Sequence, residues 1–73
     1  MRITEQNVDK IFSYHAPDDD KIAKYATIRS EARHFAKTLL DTVPECADRS
    51  VALRKLRECV MDANAAIALD GEV

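Results

Sequence analysis

Few residues of this 73-residue sequence have the types and spacing that chemistry requires, and they favour binding over catalysis. The sequence has no glycine-rich phosphate loop, no nucleophile elbow and no metal-ligand spacing of histidines and acids. His15 and His34 lie far apart and are each interpreted as polar surface or interface residues. Asp18, Asp19 and Asp20 are interpreted as the start of a helix, where carboxylates are favoured, and not as a cation site. The sequence therefore predicts no catalytic residue, no metal and no cofactor.

Arg29 is the residue that fits a plain helical protein least. It falls in an apolar stripe between Tyr25 and Ala32, where Leu or Ile is expected. In one interpretation it extends to the edge of the stripe, or pairs with Glu31 or with a carboxylate of a partner. In the other it faces a polar cavity at a subunit interface and binds an anion such as phosphate. The residues alone leave both interpretations open.

Tyr14 lies before Pro17 in an extended segment that offers little to bury an aromatic ring. It either packs on a neighbouring subunit or stacks on a planar base. The ten or so helical residues between Tyr14 and Arg29 span about 15 Å, too far for one nucleotide within a subunit. Two subunits in antiparallel register would bring one Tyr14 near the other Arg29, in a site with twofold symmetry. A compact ligand with two bases and two phosphates matches such a site.

Two long helices must position these residues. The first is predicted over residues 18–43, because an apolar stripe with alternating spacings of three and four ends at Pro44. Its members are Ile22, Tyr25, Arg29, Ala32, Ala36, Leu39 and Val43. The second is predicted over residues 48–70, with Asp48 or Ser50 as its N-cap and Gly71 in a left-handed conformation at its end. Its stripe consists of Leu53, Leu56, Val60, Ala63 and Ile67.

These elements predict a single all-α domain over residues 1–73. A short helix at about residues 4–12, which caps the hairpin or swaps onto a neighbour, precedes a long antiparallel helical hairpin. Two helices cannot cover both of their apolar faces, and several apolar side chains lie beyond any single seam. We therefore predict a homo-oligomer that buries them.

The charge and hydropathy of the sequence argue against some classes of binding partner. A net charge of −2 and an isoelectric point near 5.6 argue against DNA or RNA polymers, which call for a strongly basic face. No apolar run reaches the length of a membrane span and the first residues do not resemble a signal peptide, so no membrane association and a cytoplasmic location are expected. Cys46 and Cys59 lack metal-ligand spacing and are interpreted as reduced thiols.

A series of short motifs from about Phe12 to Ala68 resembles a known family. The motifs are FSYHAP (12–17), YATIR (25–29), FA (35–36), VP (43–44), LRKLRE (53–58) and ANAAIA (63–68). Their order and spacing are similar to those of the phage helical-hairpin cyclic-nucleotide sponges, the anti-CBASS and anti-Thoeris proteins.

The resemblance implies a function and two sets of site residues. Such sponges form homohexamers and bind cyclic dinucleotides such as cyclic GMP-AMP between two subunits without cleaving them, which starves host immune effectors in the infected cell. By that likeness Tyr14 stacks on a base and Arg29 holds phosphate, with His15 and Thr27 as further contacts. Some members also bind cyclic trinucleotides where three subunits meet. The residues implied for that pocket are Asn64, Ala65, Ala68 and Arg57.

One alternative from another class stays open. The chain could be a structural or regulatory helical module that binds a partner protein through its exposed apolar stripe. In that case Arg29 forms an interface ion pair and Tyr14 is a packing anchor.

Overall fold

The computed structural model describes residues 2–72, and over this range it contains three α-helices and no strand. They are α1 (Val8–Ile11), α2 (Asp19–Thr42) and α3 (Ala47–Ala68). The two long helices pack against each other as an antiparallel hairpin. The predicted all-α helical hairpin is thus confirmed. Within the same range, neither long helix has a stretch apolar enough to cross a membrane.

The sequence determines both ends of α2. Asp18 is its N-cap: the backbone is extended there, and the carboxylate accepts a hydrogen bond of 2.8 Å from the Lys21 amide. Val43 leaves the helix in an extended conformation, as the residue before a proline does. The observed bounds lie within one residue of the predicted span 18–43.

The ends of α3 depart from the prediction in detail. Its N-cap is Cys46, whose side chain makes no capping hydrogen bond, and neither Asp48 nor Ser50 takes that position. At the other end two successive residues are left-handed, Asp70 with φ of 54° and Gly71 with φ of 69°. The amides of Asp70 and Gly71 donate to the carbonyls of Ile67 and Ala66, the pattern of a Schellman motif. Gly71 is left-handed as predicted, but Asp70 adopts this conformation first.

The N-terminal helix is shorter than the predicted span 4–12. The side chain of Asn7 accepts a hydrogen bond of 2.7 Å from the Thr4 amide and donates to the Arg2 carbonyl. These local bonds hold residues 4–7 in a turn, so regular helix begins only at Val8. In the described part of the chain α1 packs against neither long helix. Val8 and Ile11 are nevertheless half-buried, and Lys10 pairs with Glu72 just past α3. Both expectations for this helix, that it caps the hairpin or swaps onto a neighbour, stay predictions.

The seam of the hairpin follows the predicted α2 stripe at five of its seven residues and departs from it at Ile22 and Arg29. Ile22 is 52% exposed and Arg29 is exposed, while Lys21 and Ile28 turn inward. A strict seven-residue repeat drifts by about 20° per heptad on a straight helix, so positions 22, 29, 36 and 43 cannot all face α3. A stripe whose residues are spaced by four, three and four positions stays on one face of a straight helix better than a strict seven-residue repeat does. The half-buried α2 residues are Lys21, Tyr25, Ile28, Ala32, Ala36, Leu39 and Val43.

The interior of a single chain is very thin. Leu69, at 5% exposure, is the one buried residue in the described range. The predicted α3 stripe does face α2, but all five of its residues are only half-buried. Alanines at the centre of the seam let the two helices lie close together while contributing little apolar volume.

Candidate ligand-binding site

Tyr14 is the most exposed large hydrophobic residue of the described chain. It lies in the irregular segment between α1 and α2, with 86% of its surface accessible. The neighbouring His15 is half-buried and its Nε2 donates to the Lys10 carbonyl, which ties the segment back to α1. Lys10 also pairs with Glu72, which follows α3. The segment is therefore held at both sides of Tyr14 while the ring itself stays free to meet a ligand or a partner.

Arg29 is also exposed and uncommitted. Its guanidinium forms no salt bridge and no hydrogen bond within residues 2–72. The residue lies on the flank of the hairpin, one position past Ile28, and not in the seam where its sequence pattern placed it. The interpretation that Arg29 pairs with Glu31 in its own chain is therefore wrong.

One chain does not bring the four dinucleotide-site residues into one pocket. Neither Tyr14 nor Arg29 lines any of the four main grooves found on the described chain. Thr27 lines a groove with Lys24 and Ile28, and its hydroxyl donates to the Ala23 carbonyl at 3.1 Å. Residues two positions apart on a helix differ by about 200° in direction, so Thr27 and Arg29 face different sides of α2. The hydroxyl of Thr27 is already partly committed to its own helix.

The residues proposed for a trinucleotide lie near the end of α3, with one exception. Asn64 is half-buried and its Oδ1 is buried without a hydrogen-bond partner. Ala65 is exposed, and Ala68 is half-buried with a carbonyl that accepts from Lys21. Arg57 precedes Asn64 by seven residues, or about 10 Å along the helix axis. The structure therefore groups Asn64, Ala65 and Ala68 but separates Arg57 from them.

Charges at this end of the hairpin are largely neutralised. Lys21 Nζ lies 3.2 Å from an Asp70 carboxylate oxygen and 3.4 Å from the Ala68 carbonyl oxygen. Lys24 donates to Asp20 at 3.0 Å, and this hydrogen bond, together with the charge of the carboxylate, raises the pKa of Lys24 above its ordinary value. A phosphate approaching this end meets lysines that already have carboxylate partners.

Sequence reasoning missed one feature on the same flank as Arg29. Arg33 of α2 and Arg57 of α3 line a common groove of about 300 Å³ between the helices. The spacing of four residues between Arg29 and Arg33 could have indicated this shared flank, because it places both arginines on one side of α2.

Comparison with known proteins decides the family. The model of a family described as "Acb2/Tad1, hairpin domain" matches residues 4–68, which is most of the chain. The chain belongs to this family. The match covers both long helices, Tyr14 and Arg29, and confirms the resemblance seen in the sequence motifs. Proteins of the Acb2/Tad1 family are sponges that bind ligands, and they are not enzymes. No curated protein and no solved structure matches the chain significantly.

Proposed function

We propose that this Acb2/Tad1-family protein binds cyclic oligonucleotide second messengers and sequesters them intact, which blocks bacterial anti-phage signalling. The observation that carries the proposal is the family match over residues 4–68. The principal ligands are cyclic dinucleotides such as cyclic GMP-AMP. Sequestration acts by mass action, so it needs high affinity and an abundant protein but no catalytic group.

The dinucleotide pocket lies between two subunits, with Tyr14 on a base and Arg29 on a phosphate. Three features support this placement: both side chains are exposed, Arg29 has no partner in the described chain, and neither residue lines a main groove of its own chain. A second subunit must therefore complete the site. His15 holds the segment next to Tyr14, and Thr27 is a further polar contact from the neighbouring side of α2.

The functional unit is a homo-oligomer, a hexamer by likeness to the family, that acts in the cytoplasm of the infected bacterium. Support comes from the thin interior, in which Leu69 alone is buried within residues 2–72. Phe35 and Met61 are 53% and 60% exposed on the two sides of the hairpin, and assembly would cover both. A preformed oligomer would also limit the ordering cost of binding.

A second pocket for cyclic trinucleotides would form around Asn64, Ala65 and Ala68. The unpartnered Oδ1 of Asn64 calls for a donor, which the amino group of a base supplies. Two features disfavour a phosphate contact in this pocket: Lys21 is already paired with Asp70, and Arg57 lies two helical turns from Asn64. We therefore expect trinucleotides to bind more weakly than dinucleotides.

The experiment is a calorimetric titration of the purified protein with a panel of cyclic di- and trinucleotides. Tyr14→Ala and Arg29→Ala should each weaken dinucleotide binding by about 10- to 100-fold, the effect of losing one stacked base or one charged phosphate contact. Lys37→Ala removes an exposed cation of α2 elsewhere and serves as the matched control, with affinity unchanged. Chromatography of the ligand released by heat should recover it uncleaved.

The outcomes of this titration test the proposed function and the proposed site residues separately. Absence of heat with every cyclic nucleotide would overturn the sponge proposal and favour the alternative, a helical module that binds a partner protein through the exposed Phe35 and Met61. Binding that survives both Tyr14→Ala and Arg29→Ala would retain the function and reject these two residues as its site.

A further inference from the structure

The four residues that follow α3 form a closely hydrogen-bonded turn. Each of their amides, from residue 69 to residue 72, donates to a backbone carbonyl at 3.0–3.2 Å. The side chain of Leu69 is buried, and Asp70 and Gly71 are both left-handed. Residues 69–72, which we call the α3 turn, are therefore well fixed on the end of the hairpin.

Two lysines on either side of the Tyr14 segment pair with this turn. Lys10, in α1, pairs with Glu72, and Lys21, in the first turn of α2, lies 3.2 Å from a carboxylate oxygen of Asp70. The segment that carries Tyr14, residues 12–18, connects α1 with α2. Both of its ends are thus tied to the same four-residue turn.

The α3 turn attracts these lysines because negative charge is concentrated there. Asp70 and Glu72 lie beyond the C-terminal end of α3, which is also the negative end of its helix dipole. The Ala68 carbonyl at this end accepts from Lys21 Nζ at 3.4 Å. The side chain of Lys21 is 17% exposed, whereas that of Lys10 is 43% exposed, so water weakens the tie to α1 more than the tie to α2.

Helix packing does not provide the same restraint. Within residues 2–72, α1 packs against neither long helix, and the ring of Tyr14 is too exposed to anchor its own segment. The side-chain hydrogen bonds of this segment, from His15 to the Lys10 carbonyl and from Ser13 to the Asp9 carbonyl, lead back to α1. The position of α1 and the Tyr14 segment on the hairpin therefore depends on the ion pairs with the α3 turn.

We propose that the α3 turn positions Tyr14 for its ligand, with Glu72 and Asp70 as positioning residues that act through Lys10 and Lys21. This inference rests on the proposed function, in which Tyr14 stacks on a base. A segment that is ordered only on binding costs affinity, and a segment that is already held does not. Loss of either ion pair should therefore weaken dinucleotide binding although no ligand contact is removed.

The first test measures the segment without any ligand. In the ¹⁵N-labelled full-length protein, Glu72→Gln should lower the steady-state ¹H–¹⁵N NOE of the amides of residues 13–15, which reports faster local motion, and leave the amides of α3 unchanged. Lys10→Glu should lower these values further, because it places two carboxylates side by side. The exchanged pair Lys10→Glu/Glu72→Lys should restore them. Asp41→Asn is the control, since this exposed carboxylate of α2 has no ion pair within residues 2–72.

The second test measures affinity for cyclic GMP-AMP by calorimetry. Glu72→Gln and Asp70→Asn should each weaken binding by about two- to fivefold, the scale of one partly exposed ion pair. Asparagine tolerates the left-handed conformation, so Asp70→Asn keeps the turn while it removes the charge. The double variant should lose about tenfold, and Asp41→Asn should bind as the parent protein does.

Three results would overturn the proposal. NOE values that stay at the parent level in both Glu72→Gln and the double variant would show that the turn does not hold the segment. Weaker binding without any change in NOE, or an altered oligomeric mass in Glu72→Gln, would assign the carboxylates to the ligand or to a subunit interface. Absence of binding in the parent protein, with NOE values lowered by Glu72→Gln, would overturn the proposed function but support the restraint by the α3 turn.

Discussion

At the scale of single residues, Lys21 shows how one side chain joins the two helices. Only 17% of its side chain is exposed, and its ammonium group reaches the last carbonyl of α3, Ala68, and the Asp70 carboxylate. The aliphatic stem lies in the seam while the charge sits at the negative end of a helix dipole. A lysine therefore fits well at this seam position, where the spacing favours an apolar residue.

Lys21→Met should destabilise the folded protein by about 1 kcal/mol, because the stem is kept while the charged hydrogen bonds are lost. Urea denaturation at fixed protein concentration measures this. Lys24→Met is the matched control: Lys24 pairs with Asp20 on the exposed surface of α2, where solvent screens the charges, so its loss should cost much less than the loss of Lys21. Equal losses in the two variants would contradict the role given to Lys21.

At the scale of elements, the two long helices differ in how they begin. The start of α2 has the Asp18 carboxylate as a cap, whereas α3 starts at Cys46 in extended geometry without a side-chain acceptor for its first amides. The turn at Pro44 and the hydrogen bond from Arg49 to the Val43 carbonyl hold this junction instead. The start of α3 is accordingly a place where stability can be gained.

Cys46→Ser should stabilise the protein by about 0.5–1 kcal/mol, since a serine hydroxyl at an N-cap accepts from the amides two or three residues on. The midpoint of thermal unfolding at constant protein concentration reports the gain. Cys46→Ala removes the thiol without supplying an acceptor and should give none. If the alanine variant gained as much as the serine variant, capping would not be the cause.

At the scale of the whole molecule, the chain is an elongated hairpin with a thin interior. Its radius of gyration is 15.2 Å, against about 11 Å for a compact globule of this length. The apolar side chains that remain exposed lie on both flanks and on the N-terminal segment. They include Ile3, Phe12, Ile22, Phe35, Leu40 and Met61.

We expect the thermal midpoint to rise with protein concentration, because association and folding would be coupled in the proposed homo-oligomer. Phe35→Glu should lower the mass measured by light scattering, while Ser30→Glu, on the exposed face of α2 away from the seam, should leave it unchanged. A strictly monomeric mass at micromolar concentration, or a midpoint independent of concentration, would refute the assembly.

The sequence by itself determined the local features of this protein. The aspartates after Pro17 set where α2 starts, and Pro44 and Gly71 set where the long helices stop, because capping and proline geometry depend on near neighbours. The α3 stripe also followed from spacing alone. Exposed Tyr14 and Arg29 were recognisable as candidates by residue type, since each lacks an evident partner nearby in the chain.

Only the tertiary structure decided which residues face each other. The drift of a seven-residue repeat on a straight helix moved the seam from Ile22 and Arg29 to Lys21 and Ile28, and no count along one helix reveals that shift without its partner. The same packing brought Arg33 and Arg57 into one groove although they are 24 residues apart. Placement across a seam depends on how two helices dock, so the sequence indicated candidate residues by their type but not their positions relative to one another.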